Sequence, residues 1–178
     1  MKRLCFFAVA AACLGGAAAI SAASAADQAQ IDRGKYLVTI GSCNDCHTAG
    51  YFFGKPDFSR ALSGSDVGFG LPGLGTFVGR NLTPDKETGL GNWTDDQIIA
   101  AFTAGVRPDG RRLAPIMPYQ NLSHLDSEDA RAIVAYLRNL PPVKNEVPGP
   151  FGPKDVPSTF VMTIMPGEAY AKMPPPPQ

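Results

Sequence analysis

The hydrophobic pattern divides the chain into an apolar leader, a body of helices and loops, and a proline-punctuated tail. Leu4 to Ile20 is an unbroken run of apolar and small residues behind Lys2 and Arg3, and a small-residue stretch, Ser21 to Ala26, follows it. A positive start, an apolar centre and a small-residue exit predict a cleaved secretory leader over residues 1–26. The run approaches membrane-spanning length, so a retained anchor is the competing reading; its Ala- and Gly-rich make-up and cleavable exit argue against that.

Beyond the leader, helical spacing appears three times. Ile31, Tyr36, Leu37 and Ile40 share one broad face and predict a helix over 31–40, in which Gly34 implies close approach of a second helix. Thr94-Asp95-Asp96-Gln97 reads as a capping box that opens a helix through Ala104, with Ile98, Ile99 and Phe102 apolar and Gly105 as its stop. Asp126 is the expected N-cap of the last helix, which has Glu128 and Asp129 in its first turn and ends near Leu140, before Pro141-Pro142. Its Ile133, Val134, Tyr136, Leu137 and Leu140 give a face suited to packing on the Gly34 helix.

Between these helices, Ala49 to Val78 predicts a Gly-rich loop region with short extended pieces at 62–64 and 74–78. Irregular backbone of this kind suits a segment that wraps a flat ligand. After Pro141 the repeated prolines cannot sustain a helix or a central strand. Phe160 to Met165 is the ordered candidate there, expected to lie against the domain rather than to join a partner as an added strand. Pro174 to Gln178 is expected to be a mobile end. The expected units are therefore 1–26 (leader), 27–143 (domain) and 144–178 (Pro-rich extension).

Composition adds two constraints. Hydrophobic residues make up 44% of the chain, enough for a core, while 19 Gly and 17 Pro imply much irregular backbone around something other than side chains. Formal net charge is zero, and loss of the leader leaves 14 basic residues against 16 acidic ones, so bulk charge points to no nucleic acid. Of the four cysteines, Cys5 and Cys13 lie in the leader, where Cys13 lacks the bulky apolar residue that acylation sites usually carry three positions earlier. Cys43 and Cys46 remain, in a compartment that oxidises thiols unless something captures them.

Cys43-Asn44-Asp45-Cys46-His47 is the Cys-x-x-Cys-His attachment signature of haem c. Two thiols three positions apart on a helical turn can each add to one vinyl group of the same porphyrin, and the next residue turns its imidazole to the iron. A thioredoxin-like pair would need a βαβ context, and a zinc site a second Cys or His pair; neither is present in the sequence. A plain structural disulfide stays open. For the sixth ligand, Met117 stands between Pro115 and Pro118, which stiffen its loop. Met162, Met165 and Met173 lie in the tail, and His124 reads as a solvated turn residue. Arg80, Asn81, Trp93 and Arg107 are candidates to contact the haem propionates.

Together, the helix with Gly34-Lys35-Tyr36-Leu37, the attachment signature, the Pro-bracketed Met and the final helix with Ala135-Tyr136-Leu137 resemble class I c-type cytochromes. Asn81 to Asp85, Gly89 to Asp95, Gly105 to Gly110 and Pro118-Tyr119 are similar to cytochrome subunits of bacterial alcohol and gluconate dehydrogenases, over residues 31–143. The resemblance implies an all-α globule with crossing terminal helices, one haem c (iron held by His47 and Met117) and electron transfer rather than enzymatic catalysis. This chain carries one attachment signature where those subunits carry three, which implies a single relay or a soluble carrier, serving a dehydrogenase or a respiratory chain. Implied partners are redox proteins, namely a dehydrogenase, an oxidase or another cytochrome; the expected location is the periplasm, and peripheral membrane association is compatible with it. A haem enzyme or gas sensor with a labile sixth ligand is the competing function.

Overall fold

The computed structural model describes residues 16–174. The start of the expected leader (1–15) and residues 175–178, most of the end expected to be mobile, lie outside the described residues. Helix α1 spans Gly16–Ile40 and stops where the Gly41 N–H donates to the Leu37 carbonyl (2.8 Å) and Ser42 turns left-handed at φ 54°. No helix among the described residues is long and apolar enough to cross a membrane.

Helix α5, Ser127–Arg138, crosses α1 and packs most closely at Gly34. A Cβ at position 34 would lie 1.9 Å from the Ala132 carbonyl oxygen, so the two backbones meet where a side chain would stand. The expected N-cap is present: Asp126 accepts from the Glu128 and Asp129 N–H groups at 2.9 and 2.7 Å. Arg33 spans the crossing with a bidentate contact to Asp129, both bonds 2.8 Å. Helix α3, Asp95–Ala104, has the full Thr94–Gln97 capping box and ends at Gly105, φ 67°. Leu37, Val38, Ile98, Phe102, Ile133 and Leu137 from the three helices are all buried in one core. Each of the larger ones stabilises the fold by about 1.5–3 kcal/mol through the area it removes from water.

The expectation of an all-α fold is corrected by a three-stranded mixed sheet in the order β2-β1-β3. Strands β1 (Val67–Leu71) and β2 (Gly75–Val78) form an antiparallel hairpin, with Gly68 opposite Val78 and Leu71 opposite Gly75. The turn is Leu71-Pro72-Gly73-Leu74, closed by a 3.0 Å Leu74 N–H to Leu71 C=O bond with Gly73 at φ 77°. Proline then glycine at the two central positions is the requirement of such a turn. Strand β3 (Phe160–Thr163) joins β1 in parallel, Val67 opposite Phe160. Glycines in β1 suggest loop by propensity, but here they make room. A Cβ at Gly68 would lie 2.6 Å from Thr76 Cγ2, and one at Gly70 would lie 3.0 Å from Val161 Cγ1. Residues 160–163 of that segment thus join the sheet of their own chain, and Phe53 meets Phe160 edge-on at 4.9 Å.

Short elements complete the chain. Helix α2, Cys43–His47, follows α1 directly, α4 is Tyr119–Leu122, α6 is Gly167–Tyr170, and single 3-10 turns lie at Tyr51–Phe53 and Phe58–Arg60.

Candidate functional site

Helix α2 is a single turn whose ends are tied to the chain around it. Asp45 N–H donates to Ser42 C=O at 3.1 Å, and Thr48 returns to Asn44 through its N–H (3.0 Å) and hydroxyl (2.8 Å). Buried Thr48 in turn accepts the Leu62 N–H at 3.0 Å. Gly79 allows the next layer to touch this turn, since a Cβ there would lie 1.6 Å from the Cys46 carbonyl oxygen.

The His47 ring is fixed by that layer: Nδ1 lies 2.7 Å from the Arg80 carbonyl. A carbonyl only accepts, so Nδ1 carries the proton and Nε2 keeps a free lone pair. Burial lowers the His47 pKa, with the Arg80 bond opposing it in part, which favours the neutral, ligating form. The two thiols are not joined to each other. Burial, the Cys46 thiol and Asp45 push Cys43 up to about 11, and burial also raises Cys46.

Cys43, Cys46, His47 and Met117 all line one mostly apolar cavity of about 370 Å³. Met117 comes from the Pro-bracketed loop, where its N–H donates to Ala114 C=O (3.0 Å) and its own carbonyl accepts from Tyr119 N–H (2.8 Å); the side chain is half-buried on the core. The other methionines named above are exposed in the tail, and His124 is exposed. Helices α1 and α5 supply Leu37 and Leu137 to the walls, and α3 supplies Ile98 and Phe102. The sheet supplies Phe69 and Phe77, from the 49–78 stretch expected to wrap a flat ligand, and the extension supplies Pro150, for which the sequence carried no signal. Among the described residues there is no cluster of three or more His, Cys, Asp or Glu side chains placed around one point.

The candidate propionate contacts divide. Arg80, Trp93 and Arg107 line the cavity, together with Arg111, which the sequence did not single out. Arg107 lies 5.0 Å above the Trp93 ring and 3.4 Å from Asp109. Burial, followed by repulsion from Arg107 and Arg111, lowers the Arg80 pKa. Asn81 does not belong to the cavity. It is 2% exposed, donates to Thr88 Oγ1 (3.0 Å) and Val143 C=O (2.7 Å), and accepts from Thr83 N–H (2.9 Å) and hydroxyl (2.8 Å). Those bonds use its amide fully, so its role is to tie 81–88 to the start of the extension.

The residues fit a haem c: two unjoined thiols on one turn, one imidazole with a fixed tautomer and one thioether share an apolar cavity. No family model matches the chain. The chain is 35% identical over 126 residues to the cytochrome c subunit of a quinone-dependent alcohol dehydrogenase of Gluconobacter oxydans, which covers 69% of this chain and 24% of that protein. It is 33% identical over 135 residues to the fructose dehydrogenase cytochrome subunit of Gluconobacter japonicus, 72% of this chain and 26% of that one. A diheme c-type cytochrome of Cereibacter sphaeroides is 32% identical over 117 residues, 64% of this chain and 37% of that one. The chain thus spans about a quarter of the length of the two dehydrogenase subunits and 37% of the diheme cytochrome. Their names support a cytochrome c family and electron transfer linked to dehydrogenases.

Proposed function

We propose that this chain is a mono-haem c-type cytochrome that carries electrons for a periplasmic dehydrogenase or respiratory chain. The observation that supports it best is the convergence of two thiols, an imidazole and a thioether on one apolar cavity. Cys43 and Cys46 would tether the haem, and His47 and Met117 would hold its iron from two sides. The haem supplies exchange of one electron between ferrous and ferric iron when bound. The protein's part is to keep that exchange simple. His47 offers a neutral, oriented nitrogen, Met117 favours the ferrous state, and Leu37, Phe102 and Leu137 exclude water, which disfavours the extra positive charge of the ferric state. The leader pattern over residues 1–26 supports export to the periplasm. Relatives named as dehydrogenase subunits support a dehydrogenase as partner.

A pyridine haemochrome spectrum and potentiometry test this reading. The expected result is one haem per chain, low-spin in both oxidation states, with Met117→Ala losing the low-spin ferrous spectrum. A wild-type ferrous protein that is high-spin and binds carbon monoxide readily overturns it in favour of an open-site haem protein.

A further inference from the structure

We propose that residues 145–150 of the extension form a strap that holds the His47 imidazole in its orientation, with Arg80 as the positioning residue that links them. The proposal rests on the haem-carrier reading above.

Arg80 faces both ways. Its backbone carbonyl accepts the His47 Nδ1 proton at 2.7 Å, and its guanidinium donates to the carbonyls of Val147 and Gly149, with Pro148 at 3.5 Å. Among the described residues it has no carboxylate within ion-pair distance. A half-buried cation beside Arg107 and Arg111 needs compensation, and the strap provides it through its carbonyl dipoles and, at longer range, the Glu146 carboxylate. The same residue therefore answers to the strap through its side chain and to the imidazole through its main chain.

A second path runs on the other side of the histidine. The His47 carbonyl accepts the Gly64 N–H at 2.8 Å, and Gly64 packs directly against the strap: a Cβ there would lie 2.3 Å from Val147 Cγ2. Val147 is 4% exposed. Asn145 fastens the start of the strap, with its amide donating to Ser63 C=O (2.8 Å) and its N–H to Thr88 Oγ1 (2.9 Å). Ser65 N–H to Gly79 C=O (3.0 Å) joins the two paths. The histidine turn, the 63–65 and 79–80 segments, and the strap thus form three successive layers. Close-packed protein interiors transmit displacement rather than absorb it. Metal-ligating histidines are commonly oriented by the partner of their second nitrogen, and here that partner is itself held from behind.

The test uses the haem-loaded full chain and three variants: Arg80→Ala, Arg80→Lys and Val147→Ala. Limited proteolysis of the extension reads the strap, and the ferric electron paramagnetic resonance g-anisotropy reads the axial ligand field. Arg80→Ala should speed cleavage within 141–158 by about ten- to a hundredfold, as expected for loss of hydrogen bonds from a charged donor, and shift the g-values. Arg80→Lys should restore part of both. Val147→Ala, which changes no charge, should shift the g-values in the same direction by less. A freed extension with unchanged g-values overturns the proposal, as does an extension that stays protected in Arg80→Ala. If the wild-type chain takes up no haem, the carrier reading fails, and the strap is read separately from the His47 Nδ1 proton resonance. Loss of that resonance in Arg80→Ala and Val147→Ala then supports the strap, and persistence overturns it.

Discussion

The α1–α5 crossing and the β2-β1-β3 sheet with its strap both supply walls to the same cavity, yet they are held together differently. At the crossing, one glycine lets two helices meet backbone to backbone, and apolar faces close around the contact. On the side of the sheet and strap, buried and half-buried polar groups carry the long-range joins: Asn81 to Val143, Asn145 to Ser63, and Arg80 to the 147–149 carbonyls. The crossing depends on shape, whose violation is costly at a single atom. The sheet side depends on satisfied polar groups, whose removal leaves partners unpaired. A reader looking for weak points should therefore look for different substitutions in each region.

The largest expected effect lies at the crossing. Gly34→Val places a side chain where Ala132's carbonyl oxygen stands, a backbone atom that cannot rotate away. A loss above about 4 kcal/mol, or no cooperative unfolding at all, is expected in thermal denaturation. Gly68→Ala in the sheet sharpens the contrast, because its Cβ meets side chains rather than backbone: the Thr76 methyl at 2.6 Å, Val78 Cγ2 at 3.2 Å and Thr159 Cγ2 at 3.4 Å. It should cost about 1–2 kcal/mol. The comparison breaks if Gly68→Ala proves the more damaging of the two.

Asn81→Ala comes next. It removes the acceptor of the buried Thr83 N–H and hydroxyl, and takes away one of the two donors to the Val143 carbonyl and one of the two to the Thr88 hydroxyl. A loss of about 3 kcal/mol is expected in denaturant unfolding. An effect as small as that of an exposed asparagine would show that the polar joins contribute little. Asn81→Asp should not rescue it, because a carboxylate cannot donate to the Val143 carbonyl.

What was legible in the sequence follows this same divide. Capping at Thr94 and Asp126, the close approach at Gly34 and the attachment turn at 43–47 are signals written within a few residues, and each names its own geometry. Met117 was legible because two prolines bracket it, and it lines the cavity with the thiols and His47. The hairpin had a signal too, Pro72-Gly73 between two apolar stretches, but the glycines of β1 disguised the strand as loop. Strand β3 finds its partner 93 positions away, so no local pattern specifies the pairing. Asn81 and Arg80 show the remaining limit. Residue type indicates what a side chain can bond, while burial decides what it does bond, and burial is a property of the assembled layers. Asn81 looked available to a ligand and is wholly engaged within the protein.

The smallest effect expected concerns the Arg33–Asp129 ion pair at the crossing. Arg33 and Asp129 form a bidentate contact, but the arginine side chain is 51% exposed, so water and salt screen the pair. The Arg33 guanidinium holds the Asp129 carboxyl below the usual carboxylate range, through the hydrogen bond first and the charge second. A carboxyl whose folded value is depressed binds protons more readily when unfolded. Its contribution is therefore complete above the unfolded value, about 3.9, and is lost as pH falls through the lower folded value. The melting temperature of the wild type should fall slightly more than that of Asp129→Asn between pH 6 and pH 3, and 0.5 M salt should shrink the difference. An equal fall in both proteins would mean that the crossing is held by its shape alone, with Arg33 adding nothing to the glycine contact beneath it.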